Sequence, residues 1–349
     1  MRTSDFDYFL PEERIAQTPA EPRDSSRLLV LDRHKPGVHI EHRKFRDLTD
    51  YLRPGDLMVF NRSRVIPARL HGTETRSGAR VEILLVRRQA PGVWQALGRP
   101  GRRLRVGTTV SLGNEGEPVP TARVEVLETQ DNGLRMVRLS DETVLEGLGE
   151  LPLPPYIKET PTDPERYQTV YADAPGSVAA PTAGLHFTDE LLEEIRGLGI
   201  TTAWVTLHVG LDTFRPVRGE DIAEHKIHTE WYELPEETAN LVNAARREGR
   251  RIIAVGTTTV RTLEQVGRDA HQQGVKEITA TAGDADLFIV PGHQFRLVDV
   301  MLTNFHLPRS TLLMLVSAFA GRERILAAYE EAVRQEYRFY SFGDAMLLL

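Results

Sequence analysis

The periodicity of this chain changes twice, near residues 63 and 150, and that double change limits its architecture more than any other feature. Between those points the apolar segments are short and β-rich, and several alternate with polar residues: Val81 to Val86, Val93 to Leu97, Ala122 to Leu127 and Leu134 to Leu139. Gly, Pro and Asn punctuate them about every ten residues, the rhythm of a small barrel or sandwich. Pro152-Leu153-Pro154-Pro155-Tyr156 then forms a stiff extended stretch that cannot join a sheet interior. The flanks follow another rule. Leu57 to Phe60, Thr202 to Leu207 and Arg251 to Val255 are strands of the fully buried kind. Helical patterns at Asp189–Leu198 and Glu236–Glu248 lie between them, and Thr188 stands where an N-cap belongs. Alternating strands and helices predict an α/β fold. The expected architecture is a large α/β domain, residues 1–62 and 151–349, with a small all-β barrel-like domain, residues 63–150, inserted in it. A length of 349 residues suits two such domains.

Charge follows the same division. Residues 61–110 hold eleven arginines against Glu74 and Glu82, a local balance of +9 in a chain whose net charge is -7. So large a local shift suggests a module with an anionic partner. Arg99, Arg102, Arg103 and Arg105 cluster around a turn, and with Arg62, Arg64 and Arg69 they could track an RNA backbone. A solvated charge run would read the same way. Only five of the 43 basic residues are lysine. The planar arginine fork suits phosphate and base recognition, although genome composition or adaptation to heat is the more ordinary source of such a bias.

Cysteine is absent. That excludes a catalytic thiolate, disulfides, iron–sulfur clusters and cysteine-based zinc sites. Met1 to Leu10 carries two aspartates and lacks the apolar core of a signal peptide. The longest apolar run, Leu312 to Ala320, falls well short of the ~20 residues that span a bilayer. A cytoplasmic location is expected.

Four further segments could carry chemistry. Val255 to Arg261 (Val-Gly-Thr-Thr-Thr-Val-Arg) follows a strand and opens a helix, so Thr257, Thr258 and Arg261 could hold a carboxylate or phosphate. A simple threonine cap is the alternative. Ala179 to Thr188 is a run of small residues ending at His186, where Ala183 and Gly184 would let a flat ligand approach the backbone. A tight loop around a packed histidine fits as well. His208 ends a strand, and His225, His228 and Glu230 follow. They could serve acid–base chemistry or, less naturally, a metal. Finally Asn304, His306 and Arg309 stand at the carboxyl end of a strand, before a helix starting near Ser310. No GxxxxGK[ST] loop, GxSxG elbow or glycine-rich loop of the methyltransferase kind is present.

Taken in order, these segments resemble the S-adenosylmethionine:tRNA ribosyltransferase-isomerase family of queuosine biosynthesis. The likeness runs through Asp5-Phe6-Asp7-Tyr8, Ser26-Arg27-Leu28-Leu29, Arg64 to Leu70, Pro152 to Ile157 and Tyr167 to Tyr171. It continues through Pro181–Phe187, Thr206–Gly210, Gly256–Arg261, Thr303–Pro308 and Tyr337–Met346. It is weakest across residues 71–150. Arg62 and Leu211-Asp212 depart from the family pattern. The resemblance implies transfer and isomerisation of the ribosyl moiety of S-adenosylmethionine onto 7-aminomethyl-7-deazaguanine at the tRNA wobble position. The product would be epoxyqueuosine-tRNA, with adenine and methionine released.

Such chemistry needs a base to take the C5′ hydrogen acidified by the sulfonium and an acid to protonate departing adenine. His186, His208, His228, His306, Glu230 and Asp299 are the candidates. Ala183, Gly184, Thr257, Thr258, Arg261 and Asn304 are expected to hold S-adenosylmethionine, a co-substrate rather than a cofactor. The arginines at 62, 64, 69, 99, 102, 103 and 105 are expected to hold tRNA. No metal, no other cofactor, no membrane and a monomer are expected. Rival readings are a non-catalytic RNA-binding module and a metal-dependent hydrolase built on His208, His225 and His228.

Overall fold

A computed structural model describes residues 1–113, 121–130, 133–159, 161–210, 219–222, 225, 227 and 229–349. The chain divides into two compact units. One comprises residues 1–63, 155–174 and 180–349, the other residues 64–154 and 175–179.

In chain order the strands are β1 (Arg27–Leu31), β2 (Ile40–Lys44), β3 (Leu57–Asn61), β4 (Ser63–Val65), β5 (Arg69–Glu74), β6 (Arg80–Ala90), β7 (Val93–Arg99), β8 (Thr109–Leu112) and β9 (Ala122–Thr129). They continue as β10 (Arg135–Leu139), β11 (Gly149–Glu150), β12 (Ala174–Ser177), β13 (Thr201–Leu207), β14 (Glu230–Leu234), β15 (Ile252–Val255), β16 (Thr281–Ala285), β17 (Val300–Asn304) and β18 (Ala345–Leu348). The helices are α1 (Leu145–Leu148), α2 (Asp189–Gly197), α3 (Glu236–Glu248), α4 (Thr257–Gln272), α5 (Thr311–Ala320) and α6 (Arg322–Arg334).

The large unit is built on a nine-stranded mixed sheet in the order β16-β14-β13-β3-β15-β17-β18-β1-β2. Its centre, β13-β3-β15-β17, is parallel, so these four strands end on the same edge. All five residues of β3 are buried, as expected of a strand covered on both faces. Met58 and Phe60 pack with Leu191, Leu192 and Ile195 of α2. Leu57, Val59 and Asn61 point to the opposite side and are equally buried. Strand β18 lies between β17 and β1, antiparallel to the first and parallel to the second. Helix α2 begins where expected, with Thr188 Oγ1 accepting from Leu191 N at 3.1 Å. Ser310 caps α5 through Leu313 N at 3.2 Å. Within the apolar run Leu312 to Ala320, Leu313 to Ser317, Phe319 and Ala320 are the buried residues of α5, and among the described residues no helix is long and apolar enough to cross a membrane.

The second unit is all-β apart from short helical turns. Strands β5-β6-β7-β10-β9-β8 pair antiparallel in that order. The pairing Thr73↔Ser111 and Glu74↔Val110 returns β8 to β5 and closes a six-stranded barrel, with β11 added beside β5. Alternate residues of β6 (Val81, Ile83, Leu85) turn inward with Leu70, Ala96, Val110, Val124 and Val137, so the period-two pattern is that of a filled small barrel. An α/β domain with an inserted barrel is thus the architecture, as the alternation predicted.

Candidate active site

At the carboxyl edge of the four central strands the chain turns into α4 and α5. There it forms a cleft walled by the 180–183 segment, Val209, Gly256 to Thr258, Thr303 to Leu307 and the rings of Tyr156 and Tyr340. All of these belong to the large unit. Such an edge suits a ligand because backbone groups at strand ends and helix starts lack partners in the sheet.

Asn61 builds this edge. Its Nδ2 donates to Leu207 O at 3.0 Å and Thr258 Oγ1 at 3.2 Å, while its Oδ1 accepts from Ser63 N at 3.0 Å and Leu207 N at 3.1 Å. One buried amide therefore ties the ends of β3 and β13 to the first turn of α4. Gly256 makes the turn from β15 into α4 with φ +90°, a conformation that a side chain would strain. It leaves Thr257 and Thr258 at the N-terminus of a sixteen-residue helix facing the cleft. Here the helix dipole and unbonded amides attract an anion.

The histidines are held in three distinct ways. His186 is buried and stacked on Phe45, with ring centroids 4.9 Å apart. Its Nε2 lies 3.1 Å from Asn304 Nδ2, and its Nδ1 lies 2.7 Å from Ser26 Oγ. Asn304 Nδ2 also donates to Tyr340 O at 3.2 Å, which fixes the amide orientation. His186 Nε2 must then accept, and Nδ1–H donates to Ser26. This orientation leaves Asn304 Oδ1 buried without a partner among the described residues. His306 lies in the cleft wall with Nε2 2.9 Å from Thr303 Oγ1. Its carbonyl accepts from Tyr8 Oη, and its amide donates to Tyr329 Oη at 3.0 Å. Desolvation pushes both rings down to about 3, and for His186 the positive charges of Arg338 and Arg23 add to it.

His208 stacks on Trp231, the ring centroids 5.2 Å apart and the planes 21° from parallel. Ser63 Oγ lies 3.2 Å from its Nδ1 and gives its own proton to Leu207 O at 2.7 Å. Ser63 can therefore only accept from the ring, which places the imidazole proton on Nδ1 and a lone pair on Nε2. That Nε2 has no protein partner among the described residues. Desolvation pushes His208 down to about 4, so the ring is neutral and its open nitrogen is an acceptor at neutral pH. Its neighbour Val209 lines the cleft.

Other expected residues are placed differently. Arg261 does not line the cleft. Its guanidinium is buried, 2.5 Å from Glu230 Oε2, and donates to Ala285 O at 2.7 Å and Leu287 O at 3.2 Å. Glu230 Oε1 accepts from Gly210 N at 2.8 Å. The pair thus fastens the segment after His208 to α4 and to the 285–287 stretch. Asp299 is not brought to the cleft either. It precedes β17, at the opposite end from Asn304, and its Oδ2 accepts from Ile252 N at 2.8 Å. Asn304 lies five residues further along the strand, roughly 16 Å away. Ala183 faces the cleft. A side chain at Gly184 would collide with Tyr171 Oη at 2.0 Å, so Gly184 allows close packing of the turn rather than lining the cleft. His228 and Leu211-Asp212 lie outside the described residues. His225 packs near Phe288 at 5.5 Å. Among the described residues no group of three or more His, Asp or Glu could hold a metal ion.

Arg62 extends from β3 within the large unit, donating to Thr206 Oγ1 at 3.3 Å and lying 3.7 Å from Asp173. Arg64 and Arg69 belong to β4 and β5, and Arg99, Arg102, Arg103 and Arg105 cluster at and after the end of β7. Sequence reasoning gave no site role to Ser26, Asn61 or Ser63, which bond to residues 144 to 160 positions away. No local signal marks them.

The family model described as "Queuosine biosynthesis protein" matches residues 3–348. The S-adenosylmethionine:tRNA ribosyltransferase-isomerase of Moorella thermoacetica is 56% identical over 354 residues, and that of Staphylococcus haemolyticus 54% identical over 353, each covering 100% of both chains. The crystal structure of S-adenosylmethionine tRNA ribosyltransferase from Thermotoga maritima aligns with a TM-score of 0.56 at 41% identity. The alignment covers 99% of this chain and 100% of that one. With a family model spanning nearly the whole chain and full-length relatives above half identity, this chain belongs to the queuosine biosynthesis protein family and is an enzyme of the S-adenosylmethionine:tRNA ribosyltransferase-isomerase kind.

Proposed function

We propose that this enzyme moves the ribosyl moiety of S-adenosylmethionine onto the aminomethyl group of 7-aminomethyl-7-deazaguanine at the tRNA wobble position. It isomerises the sugar to give epoxyqueuosine-tRNA and releases adenine and methionine, acting in the cytosol. Family membership supports the reaction class, and the observation that carries a site for it is the cleft at the carboxyl edge of β13-β3-β15-β17.

In this reading the α4 N-terminus at Thr257 and Thr258 takes the methionine carboxylate. The unpartnered Asn304 Oδ1 accepts a hydrogen bond from a donor on S-adenosylmethionine. His208 Nε2 removes the C5′ proton that the sulfonium acidifies, and general base catalysis of this kind contributes roughly 10²–10⁴-fold. His186 and His306 position Asn304 and Thr303. Conjugate acids that form only near pH 3 to 4 are poor donors at neutral pH, so protonation of adenine falls to another group. The wobble nucleotide unstacks to reach the cleft.

Mass spectrometry of nucleosides and small products tests the reading. With tRNA carrying 7-aminomethyl-7-deazaguanine, adenine and methionine are expected in equal amounts, together with a tRNA mass gain equal to the rearranged sugar. Release of S-adenosylhomocysteine, or no turnover on correctly modified tRNA, overturns it.

A further inference from the structure

We propose that the loop Arg99–Arg105 of the barrel is a preformed binding element for RNA phosphates, held in shape by the buried guanidinium of Arg135. Arg135 stands on β10 and is 9% exposed. Among the described residues it meets no carboxylate. Instead Nε donates to Leu104 O at 2.7 Å, Nη2 to Gly101 O at 2.9 Å and Nη1 to Gly133 O at 2.7 Å. A buried charge is tolerated only when its donors are satisfied, and here two of the three acceptors are carbonyls of one short loop. Leu104 is the second anchor. It is 1% exposed, and a side chain at Gly98 would stand 2.1 Å from its Cδ1. With Leu104 packed inward and the carbonyls of 101 and 104 turned to Arg135, the residues between and beside them turn outward.

What turns outward is positive. Arg99, Arg102 and Arg105 are exposed, and among the described residues none has an ion-pair partner. Arg103 differs, because Nη1 donates to Ser77 Oγ at 3.1 Å and its charge lies near Glu74. No acidic residue occurs between Glu82 and Glu115. Three unpaired guanidinium forks on a braced turn fit the spaced phosphates of a nucleic-acid backbone. Bracing removes the ordering cost that a flexible arginine loop carries on binding. The partner class rests on the tRNA reading above. The new elements are the choice of Arg99, Arg102 and Arg105 within the basic region and the positioning role of Arg135.

The test measures binding of an unmodified tRNA transcript against salt concentration, with turnover measured separately. The triple variant Arg99→Ala/Arg102→Ala/Arg105→Ala keeps the barrel interior intact. Its log–log salt slope is expected to fall by about 2 to 3, from about 0.7–0.9 per phosphate contact. Arg135→Met is expected to lower the slope by more than one contact's share although it removes no exposed charge. Arg138→Ala serves as the control, since it removes one exposed arginine paired with Glu125. In both loop variants the loss appears as a raised KM for tRNA. A wild-type slope in the triple variant overturns the site, as does a triple variant that instead loses only binding of a polyglutamate peptide. A slope for Arg135→Met equal to that of Arg138→Ala overturns the positioning role. If the wild-type enzyme binds tRNA but does not turn over tRNA carrying 7-aminomethyl-7-deazaguanine, the functional reading fails while the loop assignment stands.

Discussion

Holding His186 and His306 neutral in the interior makes the fold sensitive to mild acid. Each ring is pushed from its ordinary value of 6.5 down to about 3. The folded protein therefore leaves both unprotonated in a range where the unfolded chain binds a proton on each, and stability falls as the pH drops below 6.5. At about pH 5.5 the unfolded histidine is protonated roughly ten to one, so each ring costs about 1.4 kcal/mol relative to neutral pH, and the pair about 3 kcal/mol. Against a typical total of about 5–15 kcal/mol this is a large loss. Urea unfolding at about pH 7.5 and about pH 5.5 measures it. The buried carboxyl of Asp344 is pushed up by desolvation and acts with the opposite sign. The comparison of wild type with His306→Gln is therefore the readout, and the variant is expected to lose about 1.4 kcal/mol less than the wild type. An identical pH effect in the variant, or His306 ring resonances that titrate near 6.5 in the folded protein, would refute the reasoning.

Ser63→Ala removes the acceptor that keeps the proton on His208 Nδ1. Nitrogen chemical shifts of the ring are expected to move toward the other tautomer, and kcat/KM to fall about 2- to 10-fold, the worth of one neutral hydrogen bond. A ring already protonated on Nε2 in the wild type contradicts this. Arg261→Ala takes the guanidinium away from the buried Glu230 carboxyl and from the carbonyls of Ala285 and Leu287, so a stability loss of about 3–5 kcal/mol is expected, largely recovered in Arg261→Met/Glu230→Gln. If Arg261→Ala instead melts normally and loses only S-adenosylmethionine affinity, Arg261 contacts the substrate directly.

The local elements were legible because their signals are local. Thr188 and Ser310 announce α2 and α5 through caps lying within three residues of the amides they satisfy, and the alternation in β6 announces a barrel wall. Long-range partnerships were not legible. Nothing near Arg261 says that a carboxylate 31 positions earlier occupies it, and nothing near Asn304 names His186, 118 positions away. The residues at the carboxyl edge were found because strand ends are where chemistry collects. Asp299 carries the same side chain a catalytic carboxylate would, yet its place at the other end of β17 binds it to Ile252. A sequence displays the group and hides the edge.

The position of β18 sets the order in which this protein can be completed as it is made. Among the described residues, strands β1 and β2 join the rest of the sheet only through β18, which leaves the ribosome some three hundred residues after β1. Until residues 345–348 emerge, the apolar side chains of Leu28 to Leu31, fully covered in the finished sheet, have no strand to lie against on that side. The barrel, drawn almost wholly from one continuous stretch, can close long before. The nascent chain thus holds a finished module and an open sheet at once, and its period of greatest exposure to chaperones and to mispairing lasts until β18 pairs.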